Sequence, residues 1–274
     1  MTDRPDWEGR TGRKWAEEWR RTDRAFAGLT DRLLGRASAQ AIDRALDVGC
    51  GAGELTLALA RGHPRGRIVG LDVSGELISV ARERGAHLDN ASFEVGDAAE
   101  WEAPAFSPDL IVSRHGVMFF DQPVHAFAHL ARIAAPGGRL VFSCFRERAD
   151  NPWASDVAAL LPEGALGLAD PHAPGPFAFA DALRVEALLA EAGWAEMAFE
   201  AVDFAYVAGS GPDAVADARE FFLAIGPAAA AAAGLPPDER AAFNGRLQHF
   251  LAGRCEDGLI AFPASAWIVT ASKA

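Results

Sequence analysis

The stretch ALDVGCGAG, residues 45–53, sets Gly49, Gly51 and Gly53 around Cys50 and shortly after a carboxylate, Asp47. Glycines at this spacing let a chain turn sharply and let a ligand approach the main chain. A dinucleotide-binding loop requires its third glycine at position 54, and this chain has Glu54 there. A helix N-terminus ordinarily attracts anions, but here Asp47 and Glu54 flank the loop and oppose a pyrophosphate. The alternative is a plain tight turn capped by Asp47.

Carboxylates at such a turn suit a cation. S-adenosylmethionine carries an α-ammonium and a sulfonium and no phosphate, so Asp47 is expected to hold the ammonium directly or through water. Asp72 ends the next apolar run, in IVGLDVS, at about the 20-residue spacing at which a carboxylate meets ribose hydroxyls in doubly wound folds. Asp97, in FEVGDAAEW, ends the run after that and can accept from an adenine amino group, while Ala98 offers a main-chain N–H. Alone, Asp97 reads as a surface turn residue; its place at the same sheet edge as the loop favours the ligand role.

These residues need a scaffold that brings run ends together. From Ile42 onward, short apolar runs ending in Gly, Asp or Ser alternate with amphipathic stretches, which signals βα units and a parallel sheet. Strands are predicted over 44–48, 67–71, 92–95, 110–113 and 139–145, with two later ones at 197–207 and 266–271. One helix begins at the N-cap Ser74 and buries Leu77, Ile78 and Ala81. Another covers 121–135, buries Phe127, Leu130 and Ile133 or Ala134, and stops at Pro136-Gly137-Gly138. Residues 11–35 form an N-terminal helical segment with Trp15, Trp19, Phe26 and Leu33 at helical spacing. Residues 146–180, rich in proline, and 209–258 break the alternation and are expected to cap the sheet edge. The chain is read as a single domain, with residues 1–40 as a helical lid and 41–145 as the cofactor-binding core.

The ordered set ALDVGCGAG, GLDVS, VGDA, PDLIVSRHGVMFF and LARIAAPGGRL resembles the successive motifs of class I S-adenosylmethionine-dependent methyltransferases. The similarity is greatest to the bacterial small-molecule subgroup that includes ubiquinone and menaquinone biosynthesis-like (type 11) enzymes, and it is strong over residues 43–145. It implies a Rossmann-like, doubly wound α/β fold with a seven-stranded sheet whose last strand is antiparallel. By the same resemblance Gly49, Gly51 and Gly53 line the methionine part, and Cys50 belongs to the cofactor-binding loop. Asp72 and Val73 meet the ribose and adenine edge, Asp97 and Ala98 the adenine, and Ser113 and Arg114 face the methionine and the methyl group. Trp15 resembles the aromatic that closes over the cofactor; it reads equally as a core tryptophan between helices.

Methyl transfer is an in-line displacement from a sulfonium, so the protein mainly aligns the acceptor and excludes water, an effect that reaches roughly 7–11 kcal/mol in well-aligned systems. A weakly acidic O–H or N–H acceptor benefits from a nearby base, and His115, directly after the fourth strand, is the candidate, against a structural or pocket-lining histidine. His125 and His129 repeat at i, i+4 but lack the partners of a metal site and are expected at the surface. His172 is a weaker pocket candidate, and Phe119, Phe120 and Phe177 could form an apolar wall. The fourth-strand motif SRHG lacks the Asn/Asp-Pro-Pro-aromatic pattern of many enzymes that methylate base or glutamine amino groups.

The chain has 274 residues and a formal charge of −12, which disfavours nucleic acid as partner. The basic stretch from Arg10 to Arg24 is interleaved with Glu17, Glu18 and Asp23 and reads as a solvated helix face. No membrane span is expected, the charged N-terminus does not resemble a secretory signal, and a cytoplasmic location follows. Cys50, Cys144 and Cys255 have neither disulfide nor metal spacing, so reduced thiols and no metal are expected. The expected partner is a small-molecule acceptor. Rival classes are a related protein that binds the cofactor without transferring its methyl and, less favoured, a nicotinamide oxidoreductase. The methylated atom and the oligomeric state stay open.

Overall fold

The computed structural model describes residues 7–166 and 170–274. Helices α1 (Arg10–Glu17) and α2 (Trp19–Ala37) lead into β1 (Arg44–Val48), α3 (Glu54–Gly62), β2 (Arg67–Asp72), α4 (Gly75–Gly85) and β3 (Ala91–Val95). Then come β4 (Leu110–Arg114), a 3₁₀ turn (Gly116–Phe119), α5 (Pro123–Ile133) and β5 (Arg139–Phe145). After a second 3₁₀ turn (Arg148–Asp150), the chain forms α6 (Pro152–Ala158), α7 (Ala182–Glu191) and β6 (Trp194–Ser210). Helices α8 (Ala214–Ala224), α9 (Pro227–Ala233) and α10 (Pro237–Ala252) precede β7 (Leu259–Lys273).

The strands form one sheet in the order β3-β2-β1-β4-β5-β7-β6, parallel except for β7, which runs antiparallel to both neighbours. The order reverses between β1 and β4, and ligands of open α/β sheets bind at the carboxyl ends of strands flanking such a reversal. Leu46, Ile111, Val112 and Leu140 are fully buried, as sheet positions covered on both faces require. Ser74 caps α4 by accepting from the Leu77 N–H at 3.3 Å, and Leu77, Ile78 and Ala81 are buried as the spacing predicts. Phe127, Leu130 and Ala134 are buried on α5 and the turn after it, while Ile133 is only half-buried.

The last two strands are longer than expected and form a long hairpin. Pro263 interrupts the sequence signal for β7, yet it lies beyond the reach of β5, where β7 pairs only with β6 opposite Ala205. A strand with one free side tolerates a residue lacking an N–H. Register shifts near Ala195 and Gly209 blurred β6 at both ends in the same way. The stretch from Arg10 to Arg24 is solvated only in part: Arg10, Arg13, Glu17 and Arg20 are exposed, whereas its C-terminal end is docked. Arg21 bonds Glu18, Asp217 and Glu220, while Arg24 bonds Asp217, Ser210 and the Val207 and Ala208 carbonyls, so this side of α2 docks on β6 and α8. Among the described residues no helix is long and apolar enough to cross a membrane.

Candidate functional site

The glycine loop is built by three left-handed backbones, at Gly49, Gly51 and Gly53 with φ of 65°, 55° and 88°. The Gly49 and Cys50 N–H groups donate to the Leu71 carbonyl, which ties the loop to the end of β2. Gly49 also abuts the turn after β4: a Cβ on Gly49 would stand 2.8 Å from the Gly116 Cα. Gly53 has a packing role instead, since a Cβ there would lie 2.9 Å from the Phe93 ring. Cys50 reaches the cavity, but its thiol packs with Leu57, Ile78, Ala81 and Phe93, and Cys144 is likewise buried and unbridged.

A single cavity of about 480 Å³ opens at the sheet reversal, and it gathers Trp15, Asp47, Gly49, Cys50, Gly51, Asp72, Val73, Asp97, Ala98, Arg114 and His115. Two expected members are absent from its lining. Gly53 faces the helix packing just described. Ser113 is fully buried and ties strands together, its hydroxyl donating to the Val48 carbonyl at 2.7 Å and accepting from the Gly116 N–H at 3.1 Å. It positions the β4 turn rather than facing a ligand.

At one end of the cavity stand carboxylates held by the backbone. Asp47 is 1% exposed; its Oδ2 accepts from the Thr56 N–H and hydroxyl at 3.0 and 2.7 Å, and its Oδ1 is buried without a hydrogen-bond partner. Burial pushes its pKa up to about 6. Asp72 accepts from the Gly51 N–H through Oδ2 and from the Ser74 N–H through Oδ1, both at 2.9 Å; burial raises its pKa as well. Asp97 accepts from the Ala99 N–H at 2.9 Å.

Arg114 lines the cavity with its guanidinium engaged. It donates to Thr30 at 2.8 Å, pairs with Glu54, stands 3.5 Å from Asp23, and lies over the Phe26 ring. Glu54 therefore faces Arg114 instead of projecting bare negative charge over the helix start, and burial lifts its pKa to about 7. Asp23 also binds Arg84, which donates to the Ala52 carbonyl at 2.7 Å, so α2 is linked to the glycine loop through charged groups.

At the other end the walls are aromatic. His115 occupies a left-handed conformation, φ 65°, with its N–H donating to the Ser143 carbonyl. Its ring stacks on Phe145 at 4.1 Å and meets the edge of Phe26 at 5.1 Å, and both ring nitrogens are buried without a partner. Burial first, and Arg114 second, push its pKa down to about 3, so the ring is neutral at physiological pH. Trp153 and Tyr206 stack 4.9 Å apart and also line the cavity.

Several cavity residues escaped the sequence reading. Trp7 lies in a charged N-terminal stretch without apolar period; Tyr206, the sole tyrosine, sits mid-strand; Trp153 lies among prolines; Gly116 acts through its close approach to Gly49, far away in sequence. Phe119 and Phe120 do line the cavity, but Phe177 packs behind it on Phe145 and Trp153. His172 is exposed and outside the lining. His125 is exposed at the cavity rim, whereas His129, expected at the surface, is buried with Nε2 2.8 Å from the Trp101 carbonyl and Nδ1 3.0 Å from Arg132.

Residues 45–138 match a family model described as a methyltransferase domain. The 27-O-demethylrifamycin SV methyltransferase of Amycolatopsis mediterranei (strain S699) is 31% identical over 134 residues, covering 48% of this chain and 49% of the relative. The trans-aconitate 2-methyltransferase of Acidovorax sp. (strain JS42) is 37% identical over 108 residues, 39% of this chain and 40% of the relative. The chain thus spans about half the length, or less, of these curated relatives. Among solved structures, the N-methyltransferase NodS of Bradyrhizobium japonicum WM9, in complex with S-adenosylhomocysteine, aligns with a TM-score of 0.53 and 20% identity over 93% of this chain and 91% of that one. The YcgJ protein of Bacillus subtilis aligns with a TM-score of 0.58 and 18% identity over 90% and 98%. Residues 45–138 are thus similar to a methyltransferase domain, and the fold around them is the one these solved structures share.

Proposed function

We propose that this protein transfers a methyl group from S-adenosylmethionine to a small organic acceptor bound in the aromatic half of the same cavity. The observation that carries the reading is the continuity of one cavity from the glycine loop and Asp72 to His115 and Trp153. The cofactor supplies a methyl group on a cationic sulfur; the chain has to hold both reactants in line and keep water out.

The donor set at the loop fits that cofactor. Asp47 Oδ1 is a buried acceptor without a partner, suited to an ammonium directly or through water. Asp72 has one hydrogen bond on each oxygen, and a carboxylate accepts about four, so it retains capacity for ribose hydroxyls. Asp97 and the Ala98 N–H are assigned to the adenine edge, and Gly49 and Gly51 to the methionine part. Trp15, with Trp7 packed on it at 5.5 Å, is assigned to the lid over the cofactor.

His115 is assigned an orienting role rather than that of a strong base. A proton on its ring would sit in a buried wall beside Arg114, which disfavours the cation. A neutral imidazole can still accept from, or donate to, an acceptor hydroxyl and hold it toward the methyl group. The decisive experiment is transfer of label from methyl-labelled S-adenosylmethionine into a panel of phenols, quinols, amines and carboxylic acids. Labelled product supports the transferase reading. Cofactor binding without transfer to any class favours a binding or regulatory protein.

A further inference from the structure

Resting on the assignment of Asp97 and Ala98 to the adenine of S-adenosylmethionine, we infer that His129 is a positioning residue that holds the adenine-reading turn in place from α5. Within that turn the bonds are local: the Glu100 and Trp101 N–H groups donate to the Asp97 carbonyl at 3.0 and 2.8 Å, and the Ala99 N–H donates to the Asp97 carboxylate. Such bonds give the turn its shape but not its place. At its start the Gly96 N–H donates to the Asp72 carbonyl at 3.0 Å, which ties it to the ribose side. At its end the Trp101 indole N–H donates to Glu94 on β3 at 2.8 Å, and the Trp101 carbonyl meets His129 Nε2, also at 2.8 Å. Arg132 of α5 reaches Glu102 as well, but both partners are exposed, and a surface pair of this kind contributes little.

One tautomer satisfies both nitrogens of the His129 ring. Arg132 can only donate, so Nδ1, 3.0 Å from its guanidinium, accepts; the ring proton then sits on Nε2 and is donated to the Trp101 carbonyl. The ring is buried, and removing it takes the donor from that carbonyl. The four-residue spacing of His125 and His129 has the same explanation. His125 and Ala126 line the cavity, and His129 lies one turn further along the same face of α5, against the adenine turn.

Base selectivity reads this role directly. S-inosylhomocysteine has a carbonyl oxygen where adenine has its amino group, and a proton on the neighbouring ring nitrogen, so it reverses both bonds assigned to Asp97 and the Ala98 N–H. In calorimetric titrations of the full chain, S-adenosylhomocysteine is expected to bind at least about tenfold more tightly than S-inosylhomocysteine, a gap of about 1.4 kcal/mol. In His129→Leu that preference is expected to shrink to about threefold or less, mainly through weaker S-adenosylhomocysteine binding. His129→Gln, whose amide can still donate to the Trp101 carbonyl, is expected to restore it. An unchanged preference in folded His129→Leu overturns the inference even where both affinities fall, because a general loss of stability weakens both ligands alike. If that variant does not fold, His129→Asn, polar but too short to reach Trp101, is judged by the same criterion. Equal binding of the two ligands to the wild-type chain removes the adenine assignment and the inference with it. Failure of S-adenosylhomocysteine to bind at all would instead bring down the methyl-transfer reading itself.

Discussion

The two ends of the cavity are built by opposite means. The cofactor end is made of backbone: three left-handed glycines, and carboxylates fixed by main-chain N–H groups of their own neighbourhood, Gly51 and Ser74 for Asp72 and Thr56 for Asp47. The aromatic end, to which the acceptor is assigned, is made of side chains from distant segments: Phe26 from α2, Phe145 from β5, Trp153 from α6 and Tyr206 from β6. Local construction yields a rigid site for one ligand. Assembly from remote segments yields a wall whose shape changes with any of its contributors, which suits a part that must differ between acceptors.

That contrast can be broken most forcefully at Gly49. Gly49→Ala introduces a Cβ at φ 65° and 2.8 Å from the Gly116 Cα, so a stability loss of about 2–5 kcal/mol is expected in denaturant unfolding. A near-neutral result would show that the loop yields, contrary to a rigid cofactor end. Next in size is Asp72→Ala, which removes a charged hydrogen-bonding group; S-adenosylmethionine affinity should drop about 10- to 100-fold, since such bonds contribute about 1.5–3 kcal/mol. An unchanged dissociation constant would remove Asp72 from the ribose.

The acceptor end is probed by pH. The His115 ring binds its proton near pH 3 in the folded protein and near the ordinary 6.5 when unfolded. The unfolded chain thus holds the extra proton between those values, and stability rises with pH through that window and levels off above it. Relative to His115→Asn, wild type should lose about 1.6 kcal/mol between pH 6.5 and 5. Parallel stability curves for the two proteins would mean that His115 is hydrated and the wall open. Ser74→Ala is expected to have the smallest effect, about 1 kcal/mol in thermal or denaturant unfolding, through loss of the α4 cap.

How much the sequence disclosed follows the same division. Strands β1 and β5 fall at the predicted residues, and Asp47, Asp72 and Asp97 meet at one edge, because glycine spacing, apolar runs and strand-end carboxylates are local signals. Ser113 and Gly53 were drawn toward the ligand by motif position alone, and only their neighbours, Val48 and Phe93, show that they hold the frame. Glu54 was legible as a charge but not as the partner of Arg114, some 60 residues away. Trp7, Trp153 and Tyr206 carried no signal, since the feature that unites them is long-range packing around a cavity.

The most direct test is a set of calorimetric titrations of the full chain with S-adenosylmethionine, S-adenosylhomocysteine and NAD. Micromolar binding of the first two and no binding of NAD is the expected result. Tight NAD binding with no heat from S-adenosylmethionine would contradict a cationic, phosphate-free cofactor at the Gly49–Gly51 loop.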